Sequence, residues 1–159
     1  MNDTFFQGIP LLSLERLDHQ KTGLTMCAWL APEHLQEAAQ RMLDKEFFLE
    51  DVSMLETTEG FMAVYHFDHF TTPGRIALRV VIGREKPELP SIADIYQGAA
   101  WHERECHDFF GVSFAGHENL LPLLLPADAT EHPLRKEDNA LKPLAELLEP
   151  GEIISAVPD

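Results

Sequence analysis

The run WHERECHDFFGVSFAGH, Trp101 to His117, gathers the residues of this chain best placed to do chemistry. Read from His102, it nearly spells H-E-x-x-H. In that helical box two histidines one turn apart point at one zinc ion. Cys106 stands where the second histidine belongs, and His107 lies one place on, rotated by roughly 100° on the 3.6-residue period. His102 and Cys106 could still ligate zinc with a further group such as His117, which would make the chain a zinc-binding protein or an autonomous enzyme. The competing reading sets Cys106 on one face with Phe109 and Phe110, where a helical cysteine serves as a small hydrophobe. We take that second reading and expect no metal.

The same helix is dense in charge. Arg104 and Asp108 are i, i+4 neighbours, as are Glu103 and His107, and Glu105 shares a face with Trp101 and Asp108. Exposed, such pairs contribute only a few tenths of a kcal/mol each. Further on, HPLRKED sets Arg135 and Lys136 beside a proline in an otherwise acidic chain. That arrangement suits fixed ion pairs, within the chain or to a neighbour. No nucleophile-elbow motif and no glycine-rich phosphate loop is present. The two cysteines cannot ligate an all-cysteine iron–sulfur cluster, which takes four thiolates.

These residues need elements to hold them. At 159 residues, 45% hydrophobic and 25% charged, the chain has the make-up of one soluble domain with its own core. Its 12 Lys and Arg against 27 Asp and Glu leave a net charge of −15, which repels nucleic acid and anionic lipid and suits a basic partner. Cys27 and Cys106 lie far apart, as fits a reducing cytosol. The start MNDTFFQGIP has no basic or long apolar region, so no signal peptide is expected. The greasiest run, LLPLLLPA from Leu120, is too short to span a bilayer.

Periodicity then divides the chain. GLTMCAWL (Gly23–Leu30) reads as a strand. In APEHLQEAAQRMLDKE, Pro32 and Glu33 suit a helix start, and Leu35, Ala38, Ala39, Met42 and Leu43 form one apolar stripe. Three strand-like runs follow at Phe47–Leu55, Phe61–Phe70 and Arg75–Ile82, the last two joined through TTPG as an antiparallel hairpin. Ser91 and Asp94 look like a helix-start signature, with Gly98 breaking or kinking the helix and Gly111 ending it. Beyond Val112, six prolines impose an extended path that lies along a surface. The expected fold is α+β and two-layered: a mainly antiparallel or mixed sheet, helices on one face, and an extended C-terminal tail. The expected divisions are 1–22 as an N-terminal segment, 23–111 as the domain and 112–159 as the tail.

ERECHDFFGVSFAGHENLLPLLLPADATEHPLRKED, about a quarter of the chain, resembles the signature of the 30-kDa subunit of respiratory complex I, the C subunit of bacterial NADH:quinone oxidoreductase. Glu103, Arg104, Glu105, Asp108, Gly111, Phe114, Gly116 and His117 match that pattern. So do Leu125, Pro126, His132, Pro133, Leu134, Arg135 and Lys136, and AAWHERE, with Trp101, is similar to the segment before it. The departures are Glu118 for the usual proline, Leu121-Pro122 for an arginine pair, and Ala129-Thr130-Glu131 for Trp-x-Gly. They remove cationic anchors from the first part of the contact segment.

The resemblance implies a structural subunit without catalytic residues, cofactor or metal of its own. NADH, flavin, iron–sulfur clusters and quinone would belong to the partner subunits. The partners implied are the large quinone-site subunit and a neighbouring iron–sulfur subunit, on the cytoplasmic side of the inner membrane and reached through the complex. The implied interface is Trp101, Glu103, Arg104, Glu105, Asp108, Phe114, Gly116, His117 and His132–Lys136. Membrane-bound nickel–iron hydrogenases and formate hydrogenlyase carry a domain of the same family, and an equivalent subunit there is the alternative.

Overall fold

The computed structural model describes residues 5–71 and 74–148. Strands β1 (Ser13–Arg16), β2 (Met26–Trp29), β3 (Phe48–Glu56), β4 (Phe61–Asp68) and β5 (Ile76–Ile82) form one sheet in the order β1-β2-β5-β4-β3. It is mixed, because β2 runs parallel to β5 while β1–β2, β4–β5 and β3–β4 are antiparallel. The expected β4–β5 pairing forms. Thr72 and Pro73 of its TTPG turn lie outside the described residues.

Period-2 alternation puts Met26 and Ala28, Ile76, Leu78 and Val80, Ala63, Tyr65 and Phe67, and Val52 and Met54 on one sheet face. Helices α2 (Leu35–Asp44) and α3 (Ala99–Phe110) cover that face with Leu35, Ala38, Ala39 and Met42, and with Ala99, Cys106 and Phe110. The opposite face carries Cys27, Trp29, Met62, Val64 and Ala77, which is why these strands read as apolar on both sides. Leu144, from a short helix α4 (Leu144–Leu147), packs there. The sheet is therefore covered by long helices on one face and touched by the returning tail on the other.

Several local expectations are corrected. The N-terminal segment holds a helical turn, α1 (His19–Thr22), as well as the edge strand β1; four residues are too few to show a period. A 3₁₀ turn, Pro32–His34, precedes α2, and Leu43 is exposed at the margin of the apolar stripe. Ser91 and Asp94 do not start a helix. Residues 92–99 make tight turns closed by Tyr96 N–H to Ile92 O (2.8 Å) and Ala99 N–H to Tyr96 O (2.8 Å), and Gly98 is the N-cap of α3. Beyond Gly111 the chain first makes β7 (Ser113–Ala115), parallel to β6 (Glu88–Pro90), and Val112 and Phe114 join the core.

Two glycines are fixed by contact. Gly60, in the β3–β4 turn, has φ 147°, and a Cβ there would lie 2.1 Å from the Ile82 carbonyl oxygen. Gly111 ends α3 at φ 73°, and a Cβ there would stand 2.6 Å from the His132 ring.

Candidate functional site: helix α3 and the segment it pins

Helix α3 turns most of its charged residues toward its own chain. Glu103 is 0% exposed. Its carboxylate accepts from the Ser91 hydroxyl (2.5 Å) and the Ile92 N–H (2.8 Å), with His117 Nε2 at 4.0 Å. Burial raises its pKa above the ordinary range, against the opposing pull of Ser91, Ile92 and His117. His117 Nδ1 accepts from the Asn119 N–H (3.0 Å), so Nε2 carries the proton and donates it to the Ala100 carbonyl (3.0 Å).

One turn on, a single oxygen of Asp108 accepts from the N–H groups of Leu123 (2.8 Å), Leu124 (2.8 Å) and Leu125 (3.2 Å). Burial alone would raise this carboxyl, but the three backbone donors outweigh it and hold the pKa below the ordinary value. Arg104 grips the same loop from the other polarity: Nε donates to the Leu121 carbonyl and Nη2 to that of Pro122, each at 2.7 Å. A leucine- and proline-rich run with no periodicity of its own thus has its path set by two side chains of α3.

The second half of the tail is tied in the same manner. His132 Nδ1 donates to the Asp108 carbonyl (2.8 Å), and the Leu134 N–H to that of Phe109 (3.1 Å), so the last turn of α3 holds the H-P-L segment. Glu56, buried at the end of β3, accepts from the Lys136 N–H (2.7 Å) and from Arg84 Nε (3.2 Å), with Arg135 Nη2 at 3.8 Å. Arg135 also lies over the Phe61 ring at 5.4 Å. Glu59 accepts from the Leu144 N–H (3.1 Å). Sequence reasoning missed Glu56 and Glu59, and it took Ser91 for a helix start where its hydroxyl serves Glu103. Glu56 carried a signal, since it continues the inward series Val52, Met54 of β3.

The residues expected at an interface therefore divide into two groups. Glu103, Asp108, Phe114 and His117 are turned inward, and His132 and Arg104 hold the tail. Gly116 (φ 86°), Pro133, Glu105, Arg135 and Lys136 lie on or near the surface. Four large apolar side chains stand out in the α3–tail region: Trp101 at 67% exposed, Leu121 at 62%, Leu124 at 61% and Leu134 at 50%. The zinc alternative has its own geometry. Cys106 is buried, and burial, with Glu105, Glu103 and Asp51 nearby, pushes its thiol up to about 12, so it stays protonated at neutral pH. Among the described residues no three His, Cys, Asp or Glu side chains are grouped to hold a metal ion.

The family model for the respiratory-chain NADH dehydrogenase 30 kDa subunit matches residues 28–143, from the end of β2 through β3, β4, β5 and α3 to the pinned tail, and leaves out β1. The chain belongs to that family. The NADH-quinone oxidoreductase C subunit of Roseiflexus sp. (strain RS-1) is 36% identical over 119 residues, covering 70% of this chain and 68% of that protein. The NADH-quinone oxidoreductase C/D subunit of Phocaeicola vulgatus is 43% identical over 88 residues, 54% of this chain and 17% of that protein. Among solved structures, the trypsin-resistant fragment (1-134) of Nqo5 is 27% identical with a TM-score of 0.58, covering 68% of this chain and 89% of the fragment. A polypeptide of the membrane-bound sulfane sulfur reductase, an archaeal respiratory membrane complex, shares the fold: TM-score 0.72 at 22% identity, covering 91% of this chain and 85% of that one. Among the described residues of this family member, no helix is long and apolar enough to cross a membrane.

Proposed function

We propose that this chain is a non-catalytic structural subunit in the hydrophilic arm of an NADH:quinone oxidoreductase of the complex I type, packing against the large quinone-site subunit. The observation that carries the reading is the exposure of Trp101 on α3 and of Leu121 and Leu124 on a loop that Asp108 and Arg104 have already fixed. Ordering that loop beforehand lowers the entropic cost of docking. Large apolar groups held out to water are the anchors an interface uses. Relatives named as the C and C/D subunits of NADH-quinone oxidoreductase support the same assignment. In this reading the chain holds no cofactor or metal. NADH, flavin, iron–sulfur clusters and quinone belong to its partners, an iron–sulfur subunit among them. The chain reaches the cytoplasmic face of the membrane through the complex.

Co-purification with the cognate large subunit tests this. Trp101→Ala combined with Leu124→Ala is expected to weaken assembly by more than tenfold while leaving the circular dichroism of the chain unchanged. Assembly at the wild-type level by that double variant would put the interface elsewhere. The departures at Glu118, Leu121-Pro122 and Ala129–Glu131 leave open a second reading, the equivalent subunit of a membrane-bound nickel–iron hydrogenase or formate hydrogenlyase. The metal content of the captured complex separates the two: flavin without nickel for the first, nickel for the second.

A further inference from the structure

The sheet stops at the outer edge of β3, and half of that edge is unprotected. Alternate residues of an edge strand direct N–H and C=O groups away from the sheet. In the first half of β3 the register shifts between Leu49 and Asp51, Arg75 holds Glu50 (2.7 Å), and His66 holds Asp51 (2.7 Å). Bulges and charges of this kind discourage edge pairing. The second half, Val52–Leu55, is uncharged and in unbroken register with Tyr65, Val64, Ala63 and Met62 of β4. Among the described residues its backbone pairs with no other segment.

A groove of about 180 Å³ runs beside it, lined by Val52 and Met54 of β3, Cys106 and Phe109 of α3, and Leu134, with Glu105 among its residues. Leu55 is exposed on the other face of the strand. Glu105 is the one charged residue that lines this groove, and it is acidic. At a net charge of −15, a second copy of the chain would be repelled rather than recruited. A segment with basic residues would be drawn in.

We infer that the Val52–Leu55 edge takes up an extended segment of the partner polypeptide as an added strand, with apolar side chains alternating into the groove and a Lys or Arg set against Glu105. Main-chain pairing supplies the attraction, and the groove and the acidic lip select the sequence. This rests on the docking proposed above and adds a second contact to it, separate from Trp101, Leu121 and Leu124.

Hydrogen–deuterium exchange of the full chain, alone and co-purified with the large subunit, tests it. The outward amides of Val52–Leu55 are expected to exchange at least tenfold more slowly in the assembly. Glu105→Lys, at an exposed position, is expected to abolish most of that slowing while leaving the free chain's exchange unchanged. Equal exchange in the free and assembled wild-type chain would overturn strand addition while leaving the docking reading in place. Slowing that grows with the concentration of the chain alone would make the occupant a second copy and also overturn it. Failure to co-purify at all would remove the docking reading and this inference together.

Discussion

Leu78 in β5 and the run Leu123–Leu125 are held in the same chain by different forces. Leu78 is buried on the helix-covered face of the sheet, in the core shared by the central strands and by α2 and α3. The backbone at Leu123–Leu125 hangs from one oxygen of Asp108, and Leu124 itself is 61% exposed. The domain has many small, non-directional contributions, whereas the tail depends on a few directional ones: Asp108, Arg104, Glu56 and Glu59. Removing one contribution should act globally in the first region and locally in the second.

The largest effect is expected in the sheet. Leu78→Ala should cost about 2–5 kcal/mol, the transfer term plus the cavity it leaves. Denaturant unfolding should show a lower midpoint with an unchanged slope, because the whole domain loses stability together. A loss well below about 1 kcal/mol would mean that the core collapses around the gap and that the two regions differ less than their contacts suggest.

A smaller and more local effect is expected from Asp108→Ala. It strands three backbone donors that then turn to water, at a cost of about 1–3 kcal/mol. Amide exchange should speed up at Leu123–Leu125 while the β4 and β5 amides keep their protection. Equal loss of protection in the sheet would show that the tail is part of one cooperative unit with the domain.

The smallest effect concerns pH, and it carries opposite signs on one helix. Asp108 is held below its ordinary value of 3.8, so its stabilising contribution is present above that pH and lost as pH falls through its folded value. Glu59, at the Leu144 end of the tail, is lowered in the same sense from 4.5. Glu103 is raised above 4.5, so its contribution is complete below that pH and is lost as pH rises through its folded value. Acid should therefore loosen the tail first, while ionisation of Glu103 weakens the domain from the other side. Carboxyl carbon shifts followed by NMR should show Asp108 titrating below Glu103. The reverse order would break the comparison.

Much of the sheet was legible because its strands and α2 carry clear periods. The five-residue stripe of α2 and the alternation of β4 and β5 each state which side is buried. The rest was hidden for stated reasons. Strand β1 and strand β7 are too short to repeat, and Ser91 looked like a helix cap when its hydroxyl serves Glu103, twelve residues away, together with the Ala93 N–H. Leu43 fitted the stripe but fell at its margin.

Residue type and local spacing were enough to set the chemical character of this protein: an acidic α+β domain, a helix crowded with charge, a proline-rich run that cannot support itself, and the family pattern that joins them. What the charges do was settled in three dimensions. Glu103 and Arg104 are neighbours in the chain, yet one is sealed inside and the other reaches out to hold Leu121 and Pro122. That choice depends on which segments the fold brings to each face of α3, from as far away as Ser91 on one side and Leu125 on the other. Hydrogen-bond partners so distant along the chain leave no periodic trace in the sequence, because their spacing is set by the path of the backbone in space.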